Sequence, residues 1–597
     1  MPLKTPALDK EGAFLVNSDT PDAKVQLSEH IPRFYADREA HIIESADLPP
    51  AVSTRGRRAR IIREALPPAC LVVAFSTLFF CLLRSHMLEP RPEGLYSAGS
   101  TWGDLAWHLS IISNFVERGL GATRENPIFP GTKLSYPFLP DMLSVALVRL
   151  GFGLQASLIW PTLVALLCTL AGMYWFARTL LNSSYEAMLV PVLFFFNGSI
   201  VGCYYFWLDL RKSRMSAASF LNNLPADYAH LIDRNLHFSN VISDYILPQR
   251  AMVFGLALGI VVVLELWRYW ERGSKNHLFY AGLSLSLMPL IHFHSFVALT
   301  IAAAFLFLID LEVKPKSWKN LVAGWADFAI PLLLIAMPQA IWIAPHHTVS
   351  FLRWQVGWMK NNDSLAVFWL KNLSPHLFVF IAAFFVVEER FRQFWYAFVG
   401  MFFLTNLVVF QPHDFDNMKL MLWAFLVSCI GTAALFAKLR RRYSLPGLLL
   451  SLFLTICLAA TGCLSVYREL RLHSLMFSTA DLLLAKYVRE HAPKDAIFLT
   501  SDRHNHPIPC LAGRRIVMGY RGWLWTHGID YHSRERDVLE IYRGSSKMDD
   551  LLKQYDVSYV LLERTRMSEF PQNELALRSR FPLVYESRTF ALLKIKQ

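Results

Sequence analysis

The sequence predicts an α-helical polytopic membrane bundle of about eleven spans, with twelve as the alternative, ending in a small soluble C-terminal α/β domain. Three observations carry this. The chain is 54% hydrophobic and 18% charged over 597 residues, where soluble domains carry about a quarter charged residues. The deficit is confined to the middle: residues 1–60 and 474–597 read as ordinary polar protein, while 61–473 holds repeated apolar runs, many near the ~20 residues that a spanning helix needs. Period-2 alternation is absent from these runs, which leaves helices as the spanning element.

Residues 1–60 lack hydrophobic periodicity and scatter Pro, Ser, Asp and Glu, the composition of a disordered tail. Arg55, Arg57, Arg58, Arg60 and Arg63 precede the first apolar run, which begins near Leu66. Basic residues stay cytoplasmic, so the tail is expected inside, with the first span running outward. Further runs lie at 138–152, 157–180, 186–207, 251–270, 278–292, 294–311, 321–344, 374–388, 394–410, 419–437 and 446–465. The basic clusters Arg268/Arg272/Lys275, Lys314/Lys316/Lys319, Arg390/Arg392 and Lys438/Arg440/Arg441/Arg442 all fall inside together if one early run does not cross. The run 138–152, short and carrying Asp141 and Arg149, is expected to be that re-entrant or juxtamembrane segment. An odd count puts the outer loop 84–137, residues 208–250 and the C-terminal domain on one outer or luminal face; twelve spans would put the C-terminal domain inside.

From about 474 the pattern alternates. Asp481–His491 is amphipathic, Ala496–Thr500, Arg515–Met518 and Val557–Leu562 are rich in β-formers, and Phe581–Tyr585 with Phe590–Ile595 resembles a closing hairpin. The net charge of +12 does not indicate nucleic acid, because Arg and Lys sit at the ends of apolar runs and form no stripe with interleaved aromatics. Seven of the eight cysteines lie in apolar runs and only Cys510 in a soluble region, so neither a disulfide framework nor a zinc spacing is present. No Gly-x-Gly-x-x-Gly or Walker motif indicates a nucleotide.

The first outer loop carries Gly103-Asp104-Leu105-Ala106-Trp107-His108. Asp104 and His108 are four apart and share a helical face; Trp107, Ile111, Ile112 and Phe115 make that helix amphipathic. A carboxylate on an interfacial helix suits a general base acting on a polar acceptor; the competing reading is that Asp104 is the N-cap. The loop continues through Asn126-Pro127 to Ser135-Tyr136-Pro137, which enters the next apolar run.

A first span, an outer loop with an acid and a His on an amphipathic helix, then a Tyr-Pro segment, resembles the GT-C superfamily of polyprenyl- or dolichyl-phosphate-sugar-dependent membrane glycosyltransferases. The resemblance implies that Asp104 is the catalytic acid residue of that loop, with a polyprenyl-phosphate sugar as donor, inverting transfer and a hydroxyl or similar acceptor. Gly103 and Leu105 flank Asp104, so the adjacent second acid usual in that family is missing; Glu117, Glu125, Asp141 or another loop would have to supply it.

Four more segments are expected on the same face. Arg250, in Leu247-Pro248-Gln249-Arg250, either holds a phosphate through its fork of donors or snorkels. His292 and His294 break a long apolar stretch; at i, i+2 they do not share a helical face, so a metal site needs an extended backbone there, and a polar turn is the alternative. In Gln411-Pro412-His413-Asp414-Phe415-Asp416-Asn417-Met418-Lys419, Lys419 stands at a helix start where a phosphate is favoured, or snorkels, and Asp414 or Asp416 is the alternative N-cap. In the soluble domain His504, Asn505, Arg514, Trp523 and Trp525 have the residue types of a sugar-binding surface on the acceptor side, or else place Trp at the membrane interface.

The expected activity is transfer of a sugar from a polyprenyl-phosphate donor at the outer or luminal face of the endoplasmic reticulum or plasma membrane. In it Asp104 deprotonates the acceptor, His108 orients it, Arg250 and Lys419 hold the donor phosphate, and Asp414, Asp416, Asn417, His292 and His294 support them. No motif requires a cofactor, and a divalent cation stays open. The rivals are a transporter or flippase of a lipid-linked or anionic solute, which would use intramembrane Glu265 and Asp327, and a non-catalytic membrane scaffold. Partner subunits are not indicated.

Overall fold

Segments without charge become helices because lipid offers the backbone no hydrogen-bond partner. The computed structural model describes residues 54–181, 183–313, 318–344, 352–564 and 570–595; most of the expected N-terminal tail lies outside them. The main helices of the bundle and its outer loop are α1 (Thr54–His86), α2 (Thr101–Arg118), α3 (Leu139–Arg149), α4 (Leu154–Leu181), α5 (Ser184–Phe195), α6 (Ile200–Ser213), α7 (Arg250–Arg272) and α8 (Lys275–Ser286). They continue with α9 (Phe293–Val313), α10 (Trp318–Pro331), α11 (Met337–Ile343), α12 (Leu365–Leu373), α13 (His376–Val386), α14 (Glu389–Thr405) and α15 (Met418–Glu469).

Among the described residues six helices are long and apolar enough to cross a membrane, or up to eight if each of two bent pairs is one span: α5 with α6, bent by 55°, and α12 with α13, bent by 91°. The expected eleven or twelve crossings are not reached on this measure, because an apolar run measures side chains and a span needs helix length. The run 138–152 is α3, 11 residues, about 17 Å at 1.5 Å per residue against a core of about 30 Å. The run 278–292 is α8, 12 residues, which stops before Pro289, and 394–410 is the 17-residue α14. The last two runs are one 52-residue hydrogen-bonded element, α15, broken at Ser444, where φ is 48° and ψ −117°.

The strands are β1 (Glu89–Arg91), β2 (Gly94–Ser97), β3 (Arg353–Trp354), β4 (Val408–Val409), β5 (Ser474–Ser478), β6 (Ile497–Leu499), β7 (Arg515–Ile516), β8 (Val557–Glu563), β9 (Leu583–Glu586) and β10 (Phe590–Lys594). The C-terminal sheet runs β7-β6-β8-β10-β9: β6 is parallel to β7 and β8, and β10 is antiparallel to β8 and β9. Helix α16 (Thr479–His491) begins at a capping box, Ser478 Oγ accepting from Asp481 N and the Asp481 carboxylate accepting from Ser478 N, which satisfies two donors that a helix start leaves free. It is followed by α17 (Pro507–Ala512), α18 (Arg521–Thr526), α19 (His532–Arg543), α20 (Met548–Gln554) and α21 (Glu574–Arg580).

Residues 64–597 form one compact unit, in which residues 474–597 pack on the chain before them. The loop 84–137 supplies the contacts. Its hairpin β1–β2 takes β5 as a third strand, with Gly94 opposite Ser478 and Ser97 opposite Ser474. Ser113 of α2 donates to Cys510 O at 2.7 Å. Gly513, at φ 64°, lets α17 end directly against α2, where a Cβ would stand 2.4 Å from Ser113 O. Arg514, fully buried, donates to Glu117 Oε2 at 2.9 Å and to Ala492 O at 3.1 Å, and Arg515 pairs with Glu125. Arg514→Ala removes the cation and leaves carbonyls and Glu117 without it, an uncompensated loss of about 3 kcal/mol; a lower thermal midpoint, with earlier tryptic release of the C-terminal segment from purified protein, checks this.

Candidate active site

Buried polar residues from four helices converge on Asp141. From α3 its carboxylate accepts from Arg250 Nη1 at 2.7 Å and pairs with His108 Nδ1 at 2.9 Å. The Arg250 fork is filled by Ser144 Oγ at 2.8 Å and Thr162 Oγ1 at 3.2 Å, and Ser144 in turn donates to Ser157 O at 2.7 Å. Arg250 is fully buried. It therefore does not snorkel; three of its five donors are spent on protein partners and it does not line the cavity. His108, expected to orient an acceptor, is committed through Nδ1 to Asp141, and Asp141 is not a free second acid. The network instead clamps α2 against α3, α4 and α7.

One turn before His108, Asp104 projects into a cavity of about 730 Å³. The N-cap of α2 is Ser100, whose carbonyl accepts from Asp104 N at 3.5 Å. Asp104 thus stands inside the helix, and the capping reading falls. Among the described residues its carboxylate makes no hydrogen bond or ion pair. Enclosure pushes its pKa up to about 6; Lys419 and His108 pull it down, and Asp416 pushes it further up.

The opposite wall is built by two helix starts. His292 caps α9, its Nδ1 accepting from Ser295 N at 3.3 Å, and its ring stacks on His294 at 5.2 Å. The pair straddles the helix boundary, which brings together two rings that i, i+2 spacing within a helix would separate. Lys419 opens α15 and pairs with Asp416 at 2.9 Å, and His294 Nε2 lies 3.9 Å from Asp416. Trp423 Nε1 donates to Ser295 Oγ at 3.3 Å, tying α15 to α9. Gly259 of α7 gives that indole room, since a Cβ there would stand 2.1 Å from it. Two long helices thus aim their N-terminal dipoles at the cavity, an arrangement that favours an anion.

The third wall comes from the C-terminal domain. Tyr520, Trp523, Trp525 and His527 line the cavity; His527 packs 4.8 Å from the Trp107 ring and 5.3 Å from Tyr136, and burial lowers its pKa to about 4. Trp525 and Tyr520 remain about two-fifths exposed.

Several expected site residues stand elsewhere. Asp414 pairs with Arg353 and accepts from Gln355 Nε2 at 2.9 Å, fixing the β3 loop. Asn417 is fully buried and staples the end of α14, donating to Thr405 O at 2.9 Å and Val408 O at 2.7 Å. Asn505 donates to Met476 O and Arg514 serves the docking described above, so neither faces the cavity. His504 packs on Trp102 at 4.1 Å, behind Trp523. The second acids that do reach the cavity are Asp416 and Asp244. Asp244, on a π-helical turn Ile242–Ile246 and 2.7 Å from His230 Nδ1, had one sequence signal: a charge inside the apolar stretch 238–247. Among the described residues no group of three or more His, Cys, Asp or Glu is placed to hold a metal ion, so the open question of a divalent cation finds no ligand set there.

No family model and no curated protein matches this sequence. Solved structures do. The Archaeoglobus fulgidus oligosaccharyltransferase is 11% identical at a TM-score of 0.48, over 84% of this chain and 70% of its own. ArnT from Cupriavidus metallidurans, bound to undecaprenyl phosphate, is 10% identical at 0.48, over 89% and 98%. The arabinofuranosyltransferase AftD from Mycobacteria is 12% identical at 0.48, over 84% of this chain and 40% of its own. The chemistry of the site is argued from the walls of the cavity.

Arg250→Leu leaves the Asp141 charge buried beside His108 alone and is expected to cost about 3–5 kcal/mol. The double variant Asp141→Leu/Arg250→Met, which removes both charges, is expected to recover much of it, measured by thermal unfolding in detergent.

Proposed function

We propose that this chain transfers a sugar from a polyprenyl-phosphate-linked donor to a hydroxyl acceptor on the outer or luminal face of its membrane. The observation that carries this is the Asp104 carboxylate, without a protein partner among the described residues and raised to a pKa of about 6, in one cavity with Lys419 and two helix N-termini. A carboxylate so raised is a better proton acceptor near neutral pH than an ordinary one.

In the step this supports, the acceptor oxygen attacks the anomeric carbon as its proton passes to Asp104. The bond from that carbon to the phosphate oxygen breaks, and polyprenyl phosphate leaves carrying the electron pair. Lys419 and the N-termini of α9 and α15 offset the charge that develops on the departing oxygen. His292 and His294 line the same wall as hydrogen-bonding groups, and the aromatic wall of Trp523 and Trp525 offers faces on which a pyranose ring stacks. Arg250 and His108 act through position, by holding α2. Glu265, which the transporter reading would use, is paired with Arg268 at 2.5 Å and His277 at 2.6 Å.

Purified protein in liposomes, supplied with labelled polyprenyl-phosphate sugars and membrane-derived acceptors, is expected to release polyprenyl phosphate. Asp104→Asn should lower turnover by at least ~100-fold, the lower bound for a positioned base; equal turnover in that variant would remove the mechanism, and sugar-lipid crossing without cleavage would favour transport. Because the base works only ionised, kcat/KM should rise with pH through about 6 and fall about tenfold per unit below it. Lys419→Ala should weaken donor binding, read as a raised KM for the lipid-linked sugar.

A further inference from the structure

A second chamber, of about 480 Å³, lies beside the main cavity and has a different chemistry. Ser100, His230 and Asp244 line both, so the two meet at the N-terminus of α2, one turn from Asp104. The rest of its wall comes from the loop after α6, through Asp227, and from the end of α15 and the start of β5, through Arg468, Glu469 and Ser474.

The chamber's charges are unevenly matched. Asp244 is paired with His230 and lies 3.4 Å from Ser100 Oγ. Glu469 is shared by His86 Nε2 at 3.0 Å and Arg468 Nη1 at 3.3 Å. Asp227 accepts from Ala229 N at 2.9 Å and from Ser465 Oγ, and among the described residues no cation pairs with it. The Nε of Arg468 is buried without a hydrogen-bond partner. Three carboxylates thus share one guanidinium and two imidazoles, the second being His86 behind Glu469, and free acceptors stand beside a free donor. The lining carboxylates outnumber the single guanidinium, which disfavours an anion. A group rich in hydroxyls, each donating one hydrogen bond and accepting others, matches both kinds of site.

We infer that this chamber is the acceptor subsite of the transfer proposed above, and that it takes a neutral saccharide whose hydroxyls bind Asp227, Asp244 and Arg468 while the reacting hydroxyl passes Ser100 to reach Asp104. The division of labour follows from the walls. The main cavity offers the anion-favouring helix starts and an apolar side through Ala340 and Ile343, while the chamber offers carboxylates and serines.

The test uses the purified full chain in nanodiscs on an array of neutral, amine-bearing and carboxylate-bearing oligosaccharides. Neutral oligosaccharides should bind at least tenfold more tightly than carboxylate-bearing ones. Ser474→Trp, which fills the mouth from an exposed position, and Asp227→Asn, which keeps the shape and removes the charge, should each weaken that binding at least tenfold. Absence of binding, preference for anionic or amine-bearing glycans, or binding unchanged in both variants would overturn the inference. Because it rests on the transfer reading, turnover of labelled polyprenyl-phosphate sugar is measured on the same samples. Turnover with no glycan binding overturns the chamber's role alone, and glycan binding with no turnover overturns the transfer reading alone.

Discussion

One carboxylate, Asp141, is held from two sides, by a guanidinium and an imidazole, and the placement of the site depends on it. Its partners reach it from α2 and α7, and the guanidinium that it anchors also reaches α4, so four helices meet around buried charges. Taken separately, each group would be expensive to bury; together they complete one another's hydrogen bonds. Helix α3 finds its role here. Too short to cross a membrane, it carries the carboxylate inward and fixes the rotation of α2. With His108 pinned, Asp104 has no freedom to turn away from the cavity.

That arrangement also accounts for what could be read from the sequence and what could not. The helical pattern of α2, the apolar runs and the β-rich segments at 497–499, 557–563 and 590–594 were legible because periodicity and composition are local properties. Asp104 was legible as a candidate for the same reason: a carboxylate on an amphipathic loop helix is unusual wherever that helix docks. Arg250 was misread because the sequence shows that a charge sits at the end of an apolar run and says nothing about which carboxylate lies 109 positions away. Asp414 and Asn417 were misread similarly, since a cluster of polar residues before a helix looks alike whether it faces a ligand or staples a neighbouring loop. Asp244 was passed over because its partner His230 and its place beside Ser100 exist only in three dimensions. The number of crossings is not legible from apolar windows, which ignore where the backbone turns.

The walls of the main cavity divide its tasks. Outer-loop residues bring an unpaired carboxylate, the starts of α9 and α15 bring positive potential, and the C-terminal domain brings aromatic rings. None of the three is a site alone. A carboxylate on a helix is ordinary surface until enclosure raises its pKa, and a helix start attracts anions weakly until a second one and a lysine converge on the same space. The aromatic face would be a hydrophobic patch were it not set against polar groups. The chemistry is a property of convergence, which is why the docking of the C-terminal segment onto the first outer loop matters as much as any side chain inside.

That docking has a consequence for how the molecule comes into being. Strand β2, near residue 95, finds its partner only when residues 474–478 have been made, so the loop it closes is nearly 400 residues long and among the costliest contacts in the fold to form. During synthesis the first outer loop must wait through the insertion of most of the bundle with its hairpin edge and the face of α2 uncovered. The cavity therefore comes into existence last, as a product of assembly rather than of any one segment. Until then, the chain has the helices of two cavity walls and lacks the third.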